Sequence, residues 1–127
     1  KNENSLAFIL MTDFYTKVEF EKFSLITIYG LFKQVNLGLI SIENAERMFF
    51  SPYIMGELKK YNVRQDIIDL VHEGTELEDF EAFNISVEKE TDRLIKQTEK
   101  LLLEYKNVEF TEEKLTEFII KKEISPE

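Results

Sequence analysis

Ser86-Val87-Glu88-Lys89-Glu90-Thr91-Asp92-Arg93-Leu94-Ile95-Lys96-Gln97-Thr98-Glu99-Lys100-Leu101-Leu102-Leu103-Glu104-Tyr105 is the stretch whose reading decides the fold. Val87, Thr91, Leu94, Ile95, Thr98, Leu101, Leu102 and Tyr105 recur at helical spacing, with Glu, Asp, Lys and Arg on the other face, so the pattern predicts a long amphipathic helix that Ser86 caps. A helix of this kind needs apolar partners, and residues 20–37 supply one. Phe20, Phe23, Leu25, Ile26, Ile28, Tyr29, Leu31, Phe32, Val35 and Leu37 fall all round a helical wheel, which reads as a central helix buried on most sides.

The segments between these two helices carry start and stop signals. Gly38 supplies a left-handed C-terminal cap. Ser41 is an N-cap for a second helix through Ala45 and Met48 to Phe50, with Leu39, Ile40 and Ile42 pinning the junction. Ser51-Pro52 opens a third helix through Ile54, Leu58 and Tyr61, which Asn62 ends. A fourth runs from about Arg64 through Ile67, Ile68, Leu70 and Val71 to Gly74, where it is expected to break. Thr75 is then read as the cap of a short turn through Leu77 and Phe80. After residue 105, Asn107-Val108-Glu109-Phe110 has extended character, and Thr111-Glu112-Glu113 opens a last helix carrying Leu115, Phe118 and Ile119. The opening residues 6–15 read equally as strand or helix. The expectation is an all-α protein, an irregular bundle of about six short helices in one domain over residues 1–127, with a minor strand pair between the opening segment and Val108 left open.

Composition narrows the function classes. With no Cys, disulfide frameworks, thiolate zinc sites, iron–sulfur clusters and cysteine nucleophiles are excluded. The net charge of -9 lies wholly in the second half of the chain. Between Asp66 and Asp92, the acids Asp66, Asp69, Glu73, Glu76, Glu78, Asp79, Glu81, Glu88, Glu90 and Asp92 stand against Lys89 alone. Such a surface repels phosphate backbones, so no nucleic-acid partner is expected; it favours encounter with a basic protein. The longest uninterrupted apolar run, residues 6–11, is far short of a membrane span and a poor signal peptide, so no membrane association and a cytoplasmic location are expected.

No chemistry-bearing motif emerges. The four glycines are isolated, and none begins a phosphate-cradling loop. One His excludes a serine triad unless His72 serves, and no nucleophile elbow accompanies it. Asp69, His72, Glu73 and Glu76 form the best metal candidate, because offsets of three and four place Asp69, His72 and Glu76 on one helical face. A break at Gly74 would misalign them, so no metal, cofactor or catalytic residue is assigned. The run Met48-Phe49-Phe50-Ser51-Pro52-Tyr53 concentrates aromatics at a helix junction. There Phe49 and Phe50, about 100° apart on a helix, cannot both be expected to point inward.

Three stretches, Gly38-Leu39-Ile40-Ser41-Ile42-Glu43-Asn44-Ala45-Glu46, Phe50-Ser51-Pro52-Tyr53 and His72-Glu73-Gly74-Thr75-Glu76-Leu77-Glu78-Asp79, give the chain a resemblance to a family of small bacterial helical proteins designated only as a domain of unknown function. The likeness spans roughly residues 20–105. It implies a bacterial cytosolic protein and brings no activity, substrate or cofactor. In size and acidity the chain is also similar to immunity proteins that block basic nuclease toxins, without any motif specific to them. The leading expectation is a non-enzymatic protein–protein interaction module, including a homodimer, with Glu76, Glu78, Asp79, Glu81, Phe49, Phe50 and Tyr53 as the partner-binding residues. An immunity or antitoxin-like inhibitor of a basic toxin is the alternative, and a metal-dependent enzyme using His72 and neighbouring carboxylates is the second.

Overall fold

Thr16 starts the first helix in the computed structural model, which describes residues 16–111. Its hydroxyl accepts from the Glu19 N–H (3.3 Å), and the Glu19 carboxylate accepts from the Thr16 N–H (2.8 Å), a reciprocal capping box. Helix α1, Lys17–Asn36, thus begins a turn before the apolar pattern does. It stops where Gly38 adopts φ 75°. The Gly38 and Leu39 N–H groups there donate to the Val35 and Gln34 carbonyls, 3.1 and 2.8 Å, closing a Schellman motif.

Four further start signals act as read, at Ser41, Ser51, Pro52 and Ser86. Ser41 caps α2, Ile42–Met48, and Ser51 caps α3, Pro52–Lys60, with Pro52 in the first turn. Asn62, at φ 62°, turns the chain out of α3 in the left-handed conformation that Asn tolerates. Helix α4 is Gln65–Thr75 and α5 is Leu77–Ala82. Ser86 caps the long α6, Val87–Glu104, by accepting from the Lys89 N–H at 3.2 Å.

Gly74 does not break α4. It is buried inside the helix because the Phe50 ring lies directly against it, and a Cβ at this position would fall 2.6 and 2.7 Å from the ring's Cδ1 and Cδ2. The α4–α5 boundary is Glu76 alone, which closes one helix and opens the next. Thr75, read as a cap, is the last residue of α4 and donates its hydroxyl back to the His72 carbonyl at 2.6 Å.

The described helices share one core. Helix α1 lies against α6 along most of its length and against α4, while α3 packs on α4. Leu25, Ile28 and Phe32 of α1, Leu58 of α3, Ile67, Leu70 and Val71 of α4 and Leu94 of α6 are fully enclosed. Burial of each such side chain favours folding by about 1.5–3 kcal/mol. The two polar residues on the buried stripe of α6, Thr91 and Thr98, each donate to the carbonyl four residues back, at 2.8 and 2.7 Å, so neither of these hydroxyls is stranded. Asn36 at the end of α1 donates to Thr91 Oγ1 (2.9 Å) and Asp92 Oδ1 (3.0 Å), fastening α1 to the start of α6.

Among the described residues there is no strand, and Val108 lies in irregular backbone. The opening segment over residues 6–15 and the last helix expected after Thr111 lie outside the described residues.

Candidate association surface

The acidic residues singled out in sequence lie on α5 and its start, and the fold brings further carboxylates from α2 beside them. Glu43, Glu78 and Glu81 line a cleft of about 570 Å³ together with Val35, Leu39, Ile40, Ile42 and Val87. Glu43 and Glu78 also edge a second cleft of about 620 Å³, shared with Glu46, Arg47 and Pro52. Partial burial first, then the charges of Glu78, Glu43 and Asp79, push the Glu46 carboxyl above the usual carboxylate range, with Arg47 opposing. One Glu46 carboxylate oxygen is buried without a hydrogen-bond donor. These acids therefore crowd one another across α2 and α5.

Glu78, Asp79 and Glu81 are exposed, whereas Glu76 is half-buried and faces His72, with Oε2 3.6 Å from the imidazole Nε2. Glu43 and Glu46 completed this surface unseen in the sequence, since more than thirty residues separate them from α5. Three of the exposed apolar residues, Leu39, Phe83 and Ile85, are also at this end. Leu39, 71% exposed, lines the first cleft, and Phe83, 76% exposed, sits with Ile85 in the turn between Glu81 and Val87, both of which line the same cleft.

Phe49 and Phe50 are buried, and Phe50 only borders the floor of the second cleft. They are 8% and 1% exposed, which corrects the expectation that one of them meets a partner. Phe49 lies just past α2 with φ −153°, outside helical geometry, so the two consecutive rings escape the helical spacing and both turn inward. Phe50 stacks on Phe32 with centroids 4.8 Å apart. Tyr53 is partly exposed on α3.

Because α4 continues through Gly74, Asp69, His72 and Glu73 share one helix and Glu76 is its C-cap residue, but their side chains are engaged separately. Asp69 accepts from Gln65 at 2.9 Å, and Glu73 pairs with Arg93 of α6 at 3.2 Å. Only His72 and Glu76 approach each other, and among the described residues no group of three His, Asp or Glu has the disposition to hold a metal ion.

A buried polar network escaped the sequence reading. Glu21, 2% exposed on α1, accepts from the Tyr105 hydroxyl at 2.8 Å and from the Arg64 backbone N–H at 3.0 Å. Arg64 is the N-cap residue of α4 and makes no side-chain cap, so Glu21 supplies the negative charge at that helix start from another helix. The Arg64 guanidinium donates to Asp66 (2.6 Å), Glu104 (2.9 Å) and Tyr105 (3.3 Å). Burial, reinforced by the Glu21 carboxylate, pushes the Tyr105 phenol up to about 12, while Arg64 pulls it down. The network joins α1, α4 and α6 and opens into neither acidic cleft. Its chemistry is structural.

No helix among the described residues is long and apolar enough to cross a membrane. Comparison with known proteins finds no match among curated proteins and none among solved structures. The sequence profile of one family matches residues 15–117, most of the chain. The chain, with its capped helices and its acidic α2/α5 end, belongs to the family described as protein of unknown function (DUF3969).

Proposed function

We propose that the chain is a non-enzymatic association protein of the bacterial cytoplasm that receives a basic protein partner on its α2/α5 face. The observation that carries this reading is the convergence of Glu43, Glu78 and Glu81 with exposed Leu39 on one cleft, bordered by the exposed Phe83 turn. Carboxylates steer a cationic partner, and the leucine and phenylalanine provide apolar area that water leaves on contact. An inhibitor of a basic toxin is the narrower form of this reading. The enzyme reading has less support, because His72 lines neither cleft and faces a single carboxylate.

The test is capture of partners from native lysate, identification of what is retained, and association kinetics at low and high salt. The wild type is compared with a variant carrying Glu43→Gln, Glu78→Gln and Glu81→Gln. The expected result is a basic partner whose association with the variant is about ten-fold slower at low salt, with a flatter salt dependence and a nearly unchanged dissociation rate. Equal rates and salt slopes for the two proteins would refute the reading.

A further inference from the structure

The chain carries a second charged surface of opposite sign. On α6, Lys89, Arg93, Lys96 and Lys100 recur at steps of four, three and four, which lines them up along about 16 Å of helix. Thr91, Leu94, Ile95 and Thr98 bury the opposite side of the helix against the core, so the basic stripe faces solvent. Arg93 is engaged by Glu73 and Glu90, at 3.2 and 2.9 Å. Among the described residues Lys89, Lys96 and Lys100 have no carboxylate at ion-pair distance. Arg93, Lys96, Gln97 and Lys100 border a shallow cleft of about 320 Å³, and Leu103, one turn beyond Lys100, is exposed.

The two surfaces are complementary in kind. One presents three carboxylates and an exposed leucine, the other three ammonium groups without a carboxylate partner among the described residues and an exposed leucine. We propose that a second copy of this chain docks its α6 stripe onto the acidic α2/α5 cleft of the first, in a head-to-tail contact. This rests on the reading of the acidic cleft as a docking face and names one occupant for it.

The net charge of -9 per chain does not forbid such a contact. At physiological salt, charges further apart than about 8 Å are largely screened, so the facing groups decide the sign of the interaction and the remote excess counts little. In this head-to-tail arrangement each dimer keeps one unused patch of each sign. The association is therefore heterologous and extends to a closed ring or an open chain. Small, charge-dominated contacts of this type are transient.

Sedimentation velocity tests the contact on the wild type and two neutralised variants. One variant carries Glu43→Gln, Glu78→Gln and Glu81→Gln, the other Lys89→Gln, Lys96→Gln and Lys100→Gln, with circular dichroism melts confirming that each keeps the fold. The wild type is expected to grow in average mass with concentration at low salt, with affinity falling at least ten-fold between about 0.05 and 0.5 M salt. Each variant alone is expected to stay at the 15.1 kDa of one chain, and an equimolar mixture to form a heterodimer that grows no further, since it has one intact patch of each sign. A wild type that remains at the mass of one chain at low salt, variants that still associate, or a mixture that fails to pair would each overturn the proposal. None of these outcomes touches the partner-capture kinetics, which judge the acidic cleft on their own.

Discussion

Replacing Gly74 by Ala pits two opposite effects against each other. In an exposed helix interior the change would stabilise by about 1 kcal/mol, because Ala is the better helix former. Here the new Cβ would stand 2.6 and 2.7 Å from Cδ1 and Cδ2 of Phe50, about 1 Å inside an ordinary carbon–carbon contact. The ring cannot swing away, since it is 1% exposed and stacked on Phe32 at 4.8 Å. Overpacking of a confined site costs about 1–3 kcal/mol, and a rigid ring held on its far side places this site at the upper end. Subtracting the helical gain leaves Gly74→Ala destabilising by about 2 kcal/mol, a fall in Tm of about 6–10 °C for a domain of this size. Urea denaturation followed by far-ultraviolet circular dichroism measures it, in a cycle with Phe50→Leu. Leucine in place of the ring removes the obstruction, so in that background Gly74→Ala should cost nothing or return the helical gain. An alanine variant as stable as the wild type, or an equal cost in both backgrounds, would refute the packing argument.

Tyr105→Phe strips one donor from the buried Glu21 carboxylate and should destabilise by about 1–3 kcal/mol, read from the urea midpoint, with Glu21→Ala at least as damaging. Glu46→Gln should stabilise modestly at neutral pH, by less than about 1 kcal/mol, because solvent screens much of the charge conflict it relieves. Because the folded-state pKa of Glu46 is raised, the wild type is penalised above that pKa and not below the ordinary carboxylate value. The advantage of Gln should therefore vanish in midpoints measured near pH 4. Glu19 is the opposite case: the Thr16 and Thr111 backbone N–H groups hold its pKa below the usual carboxylate range, so its stabilisation is present above that range and lost as pH falls through the lowered value. Glu19→Gln should flatten the acid limb of a pH–stability profile, and an unchanged limb would count against the assignment.

What could be read from the sequence was local chemistry. Ser41, Ser51-Pro52, Ser86 and Gly38 mark helix ends through groups that act within three or four residues of themselves, and the helices end there. The capping box at Thr16 and Glu19 is equally local, but no apolar run announces it. Gly74 is deceptive for a different reason. A glycine late in a helical pattern looks like a stop signal, and only tertiary structure shows that a ring from 24 residues earlier needs the space. Glu21 falls in the same class, since its partners Arg64 and Tyr105 are 43 and 84 residues away. Of the candidate surface, α5 was legible as a run of acids. The carboxylates of α2 that face it, and the burial of Phe49 and Phe50, depended on how helices dock.

Glu19 holds one end of the described chain to the other: its carboxylate accepts from the backbone N–H of Thr16 and, at 3.0 Å, from that of Thr111. The path from residue 16 to residue 111 is thus a nearly closed circuit. In such a circuit the point at which the backbone is interrupted is separable from the architecture. A circular permutant that joins residue 111 to residue 16 through a short linker and opens the chain at exposed Leu39 would keep α1 between α4 and α6 while moving its covalent tether from α2 to α6.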